Sequence, residues 1–394
     1  MKANTKPKTL IPIIYYHSVA PAANPRWVFQ HLTLETDCFE AQIRLLIDMG
    51  YRFVSLEDIY RFQIGEKDLH PRSVGLTFDD GYLDYWQYVF PLQKKYGFPS
   101  TIFISPEFVD TKHGVRPNSD DYSMTDRTGK VPPEENVPIG HLSWNEMAIM
   151  VKSGLVDIQS HTMTHTQYFV SDRLTGFHFP DSDNIFPIWN LHPEKKPYYI
   201  EDPEFDRSIP YGYPIFRQDG AMVGRRVEIN PDFSAEAVES VKGYNFFDKS
   251  MYPAIHHRLR AVYQHYKNTD NLVAGRETEA EYHGRIAWEL SESKRIIEHK
   301  LGRAVTFCCW PMGYTTEETH QQALDVGYWA TTQGKSIDSG NDPSRFIRIG
   351  LGKVRNHPWL TRLKFRYQVR SFQRRFPDYP VKVVYYWFRH HRLP

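Results

Sequence analysis

Val74 to Gly81, reading VGLTFDDG, limits the fold of this chain more tightly than any other stretch. Val74, Leu76 and Phe78 alternate as in a buried strand, and the run stops at two carboxylates and a glycine. Side chains alternate across a strand, so Asp79 and Asp80 are aimed apart. One can hold a cation while the other stays free as a base.

Around this strand one unit recurs. Ile11 to His17 reads as a buried strand, and FEAQIRLLIDMG as a helix with Phe39, Ile43, Leu46 and Ile47 on one face and Gly50 at its end. Tyr51–Ser55 gives a second strand, Ser55 caps the next helix, and Val74–Phe78 is the third strand. Leu83–Tyr96 reads as a helix and Ser100–Ser105 as the fourth strand. After a polar, proline-bearing loop over 110–139, Ser143 and Glu146 form a capping box on the next helix, and Val156–Ser160 is the fifth strand. A helix at Ala280–Leu301, the strand AVTFCCW, the helix EETHQQALDVG, the strand YWATTQ and a last strand near Phe346–Ile349 complete the pattern. Seven or eight such units are the count of an α/β barrel.

Residues 1–168 and 279–358 therefore form the barrel domain. The intervening 169–278, rich in Tyr, Phe, Pro, Asp and His, is too long for a structureless loop and is read as an inserted substrate-binding cap with structure of its own. Reactive groups of barrels sit where strands end. Here those ends carry Asp79 and Asp80, His161 and His165, and WPMG from Trp310, all on one rim.

One carboxylate and two imidazoles suit a divalent metal of the zinc class, with Co2+, Ni2+ or Mn2+ as alternatives, better than magnesium or calcium. Asp80, His161 and His165 supply that set. The HxxxH spacing places both imidazoles on one side of a helical turn and leaves a coordination position for water. Asp79 is then the base. His17, ending the first strand, faces the same rim toward substrate, and a backbone N–H near Tyr82 is placed to stabilise an oxyanion.

Composition excludes little but sharpens the rest. Forty-eight Lys plus Arg against 47 Asp plus Glu leaves no global field for nucleic acid. The three cysteines, Cys38, Cys308 and Cys309, lack a CxxC pair and read as free core thiols of a reducing compartment. IPIIYY near the start is too short for a signal peptide and no stretch is long and apolar enough to span a membrane, so the expected location is cytoplasmic, at the inner membrane face.

LTFDDGY, SHTMTH, CCWPMGY and RFIRIGLG resemble, in order and spacing, the motifs of the polysaccharide deacetylases of the NodB homology type (carbohydrate esterase family 4). YYHSV and HLSWNEMAIMVKSGLVDIQSHT look like the text that connects those motifs. The resemblance covers most of the chain outside the insertion and the tail. It implies a distorted (β/α) barrel and metal-dependent removal of N-acetyl or O-acetyl groups from a glycan or lipid-linked sugar, by attack of metal-bound water. It makes Asp79 the catalytic base and Asp80, His161 and His165 the metal triad. It makes Trp310, Pro311, Gly313 and Tyr314 a wall of the site. The arginine that braces the base in many members, shortly before that proline, is replaced by Cys309 and Trp310, and Thr166 stands where a proline usually follows the second histidine. The fifth motif's leucine-histidine pair has no counterpart, so His357 is taken as the general acid.

Two other functions fit the same residues: hydrolysis of a non-sugar or cyclic amide, and glycan binding without catalysis. Retention of both carboxylates and both histidines argues against the second. The segment 359–394 interleaves Arg and Lys with aromatics, as a basic helix covering the barrel or as a peripheral membrane contact.

Overall fold

The computed structural model describes residues 10–25, 27–121, 140–180, 182–334, 342–351 and 358–373. At its centre lie β1 (Ile13–Tyr16), β2 (Ser73–Phe78), β3 (Ser100–Ile104), β4 (Val156–Ser160), β5 (Phe307–Cys308), β6 (Ala330–Thr332), β7 (Arg345–Phe346) and β8 (Arg348–Gly350). They pair in the order β7-β6-β5-β4-β3-β2-β1-β8, all parallel. Strands β7 and β8 belong to one stretch, 345–350, and pair with β6 on one side and β1 on the other. The sheet thereby returns on itself as the expected barrel. Arg52–Phe53, the strand placed second by the sequence, pairs with β2 outside this closing order, so the insertion follows the fourth closing strand.

The apolar alternation of β2 marks the side facing the helices rather than the barrel interior. Val74, Leu76 and Phe78 pack in one cluster with Phe39, Ile43 and Leu46 of helix α1 (Thr36–Asp48). The inward row is Gly75, Thr77 and then Asp79. A Cβ on Gly75 would come within 2.7 Å of Ile59 Cδ1, because α2 (Leu56–Ile64) plugs that end of the barrel. There Leu56 and Ile59 join Ile13, Phe103, Phe307 and Phe346. With one end filled by apolar bulk, the other is left to polar groups. The cysteines follow the same alternation and are free: Cys308 joins the helix-side cluster and Cys309 the interior.

Helix boundaries obey local chemistry. Ser55 accepts the Asp58 N–H at 3.0 Å to start α2, and Ser143 with Glu146 closes a capping box on α4 (Trp144–Lys152). The helix after β2 enters through a π turn, Tyr85–Val89, before α3 (Phe90–Tyr96). Such bulges recur beside functional sites.

Between β4 and α5 (Glu279–Leu301) the chain builds a hairpin of Gln167–Phe177 with Pro214–Gly220. A small sheet of Val227–Ile229 with Val273–Arg276 follows the same design, and Phe177, Phe216, Phe233, Ile255 and Leu259 give the region its own core. A second aromatic cluster joins Trp189, Tyr199 and Phe205 of this region to Trp27, Tyr82 and Phe108 of the barrel loops. After β8, α6 (Pro358–Phe372) buries Phe365 and Val369 in the main cluster, while Trp359 and Leu363 stay exposed. Gln373 ties its end to the Tyr51 hydroxyl at 2.7 Å and the Pro71 carbonyl at 3.0 Å. No helix among the described residues is long and apolar enough to cross a membrane.

Candidate active site

A cavity of about 570 Å³ opens at the polar end of the barrel. Asp79, Asp80, His17, His161 and His165 line it, together with Tyr82, Trp310 and Gly313. Pro311 and Tyr314 do not. They face a small neighbouring cavity against Gly220, where Tyr314 leaves no room for a Cβ. His357 lies outside the described residues.

Asp80 follows Asp79 at a φ of 72°, in the left-handed region, and this turn sends the two carboxylates to different partners. Asp80 Oδ1 lies 3.3 Å from His161 Nε2 and 3.1 Å from His165 Nε2. The oxygen is buried yet has no hydrogen-bond partner, while two imidazole nitrogens converge on it. A buried orphan among three donor atoms, all within 4.8 Å of one another, is what a cation site looks like when read from its ligands.

His161 is clamped by its neighbours. Its N–H donates to the Ile104 carbonyl at 2.8 Å, its own carbonyl accepts from Ser105 Oγ at 2.7 Å, and Nδ1 meets the Cys309 carbonyl at 2.7 Å. A carbonyl can only accept, so Nδ1 carries the proton and the Nε2 lone pair is left toward Asp80. The sequence expectation of a helical turn through HxxxH does not hold. Residues 161–166 form an irregular loop in which Thr162 and His165 adopt φ values of 63° and 44°. The imidazoles meet through that bent backbone, with ring centroids 4.9 Å apart. Four of the five non-glycine residues with positive φ among the described residues, Asp80, Thr162, His165 and Met312, cluster here. Such backbone persists where the surroundings enforce it.

Asp79 has a different set of neighbours. Arg348 grips it from β8 with two hydrogen bonds, Nη1 to Oδ1 at 2.7 Å and Nη2 to Oδ2 at 2.9 Å. Burial alone would lift this carboxyl, but the guanidinium overcomes it and holds the group below the usual carboxylate range. Asp80 is likewise pushed up by burial and pulled well below its ordinary value by the two imidazoles. A second donor trio, Asp79, His161 and Cys309, also falls within 4.8 Å. Both Asp79 oxygens are engaged by Arg348, as is the Cys309 thiol at 2.9 Å, so the Asp80 trio is the one with atoms free for a metal.

Arg348 is the brace that the sequence leaves unassigned. It comes from the opposite side of the barrel closure rather than from the segment before Pro311, and the small thiol of Cys309 leaves it room. The signal available was an arginine inside a short, partly buried strand, in RFIRIGLG. Lysine in its place keeps the charge and loses the two-pronged grip. Arg348→Lys is expected to lower kcat by about 10²-fold through misplacement of Asp79. The acid limb of the kcat/KM profile should move to higher pH, because the group holding Asp79 low is weakened; a pH–rate series on both proteins measures this.

Three further histidines border the cavity, His17, His31 and His141. His17 Nε2 stands 3.9 Å from Asp79 Oδ2. His141 is buried and its ionisation is pushed down to about 4, chiefly by desolvation, while Nδ1 meets the Pro197 carbonyl at 3.0 Å. It is therefore a neutral ring whose Nδ1–H donates to that carbonyl.

Residues 66–194 match the sequence profile of the polysaccharide deacetylases, covering the strand that ends in Asp79 and Asp80 and the loop that carries both metal-facing histidines. Over these residues the chain is similar to the polysaccharide deacetylases. Its curated relatives include YxkH of Bacillus subtilis, named for the same family and 27% identical over 163 residues, or 41% of this chain and 46% of that protein. The poly-β-1,6-N-acetyl-D-glucosamine N-deacetylase of Escherichia coli K12 is 24% identical over 249 residues, 59% of this chain and 33% of the relative. The matches thus span half or less of these two relatives' own length. Among solved structures, a de-N-acetylase of Aggregatibacter actinomycetemcomitans superposes with a TM-score of 0.52 at 18% identity, over 90% of this chain and 99% of that one. At that identity the likeness speaks to the deacetylase barrel fold.

Proposed function

We propose that this chain is a metal-dependent hydrolase that removes N-acetyl groups from a glycan built of N-acetylglucosamine. The observation that carries the reading is the divided pair of carboxylates on one cavity floor. Asp80 converges with two imidazoles as a metal ligand set, and Asp79 is kept out of that set, ionised and oriented, by Arg348. The N-deacetylase relatives named for poly-β-1,6-N-acetyl-D-glucosamine support the substrate class.

Asp80, His161 and His165 would hold the ion, and one carboxylate with two imidazoles favours zinc or a neighbouring transition metal. When bound, such an ion supplies Lewis acidity that activates water and polarises an acyl carbonyl. Asp79 takes the proton of the attacking water as its oxygen joins the acyl carbon. The carbon–nitrogen bond then breaks to acetate and a free amine, and the amine nitrogen needs a proton. We assign that donation to His17, the imidazole outside the ligand set that stands beside Asp79 and reaches the cavity. His141 is excluded because it is held neutral. Phe186, Trp189 and Tyr199 from the insertion line the same cavity and offer apolar faces to a sugar ring.

The test is acetate and amine release by the zinc-loaded chain from N-acetylglucosamine oligomers, with O-acetylated glycans, lipid-linked N-acetyl sugars and cyclic amides alongside. New amine and acetate in equal amounts from the oligomers are expected. Acetate without amine would make it an O-deacetylase, and turnover of the cyclic amides alone would remove the glycan reading.

A further inference from the structure

Four consecutive residues of the insertion, Lys196-Pro197-Tyr198-Tyr199, each grip a different part of the barrel rim. Lys196, 1% exposed, donates to the Thr164 carbonyl at 2.7 Å and to Glu107 Oε2 at 2.5 Å. The Pro197 carbonyl receives His141 Nδ1. The Tyr198 hydroxyl donates to Asp110 at 3.1 Å and accepts the N–H of Thr111 and of Lys112 at 3.0 and 3.1 Å. The Tyr199 hydroxyl accepts Trp27 Nε1 at 2.7 Å.

These anchors converge on the ligand set. Thr164 precedes His165, in the loop whose backbone is left-handed at Thr162 and His165. Such non-glycine backbone is strained, so the loop keeps its shape only if held from outside. On one side Glu289 of α5 accepts the N–H of Met163 at 2.9 Å and of Thr164 at 3.0 Å. On the other side Lys196 holds the Thr164 carbonyl.

We propose that the Lys196–Tyr199 segment is a structural part of the metal centre, with Lys196 as the positioning residue for His165. The insertion then sets metal affinity as well as covering the cavity. This rests on the reading of Asp80, His161 and His165 as metal ligands. Ligands of a preorganised site lose affinity when their outer partners are removed, typically by about 10- to 100-fold.

Lys196→Met alone would strand the Glu107 carboxylate, so the variant to make is Glu107→Gln/Lys196→Met, which removes both charges and keeps the shape. Glu107→Gln/Lys196→Leu is the second variant, which likewise removes both charges and places a shorter apolar side chain at the same buried site. Zn2+ affinity by competition with a chromophoric chelator, the Co2+ ligand-field spectrum and metal-free thermal unfolding would be measured on the full chain. Zinc binding about 10- to 100-fold weaker in both variants is expected, with an altered Co2+ spectrum and a metal-free transition that stays cooperative. Wild-type affinity and spectrum in either variant, folded, would overturn the proposal. A wild-type chain that binds no zinc would overturn the ligand reading beneath it.

Discussion

Asp79→Asn is expected to lower kcat by about 10²- to 10⁴-fold, the range that a positioned general base supplies, while zinc affinity stays near that of the wild type. The side chain keeps its shape, and the amide that replaces the carboxylate still offers one oxygen to Arg348. What it loses is the capacity to take a proton. Because a base acts only as the transition state forms, KM should change little and the loss should fall on kcat. The second Arg348 hydrogen bond loses its acceptor, and hydrogen bonds to charged groups are worth about 1.5–3 kcal/mol, so a lower unfolding midpoint should accompany the change. Assays held well below that midpoint separate the two effects. Turnover within a few-fold of wild type would end the assignment of Asp79 as base.

The divergence of Asp79 and Asp80 was legible because it rests on a short local pattern. A strand ending in two carboxylates separates their directions by backbone geometry alone, and the left-handed turn at Asp80 completes what alternation begins. The barrel was legible for a similar reason, since strand and helix periods are local and repeat. Closure was not. It depends on 345–350 pairing with both β6 and β1, contacts that join opposite ends of the chain. Arg348 went unassigned for the same cause, because its partner Asp79 is 269 positions away in sequence. The HxxxH motif misled on geometry for a physical reason. Two histidines four apart match a helical turn, but here Glu289 and Lys196, both remote in sequence, bind the loop's N–H and carbonyl groups and hold a non-helical path.

The insertion shows the other boundary of sequence reading. Its aromatic residues have no period that separates packing from binding. Phe177, Phe216 and Phe233 fill a private core, whereas Phe186, Trp189 and Tyr199 reach the cavity. Both sets are aromatic, and only position in space divides them.

His161→Ala carries the largest expected loss of metal. His161 is the buried member of the trio, held on three sides by Ile104, Ser105 and Cys309, whereas the His165 side chain is 16% exposed. Removing it leaves one carboxylate and one imidazole, too few to hold zinc tightly, so affinity should fall by well over the roughly 10²-fold that outer partners account for. Turnover should fall with it and recover only in part at high added zinc. A ligand that binds the folded state alone stabilises it by about 4 kcal/mol at 1,000 times its dissociation constant. The wild-type unfolding midpoint should therefore rise on zinc addition, and the variant's should stay where the metal-free protein unfolds. This comparison separates a missing ligand from a misfolded chain, since damage to the fold would lower the metal-free midpoint as well. A His161→Ala protein that still gains the full zinc stabilisation would show that the ion is held elsewhere.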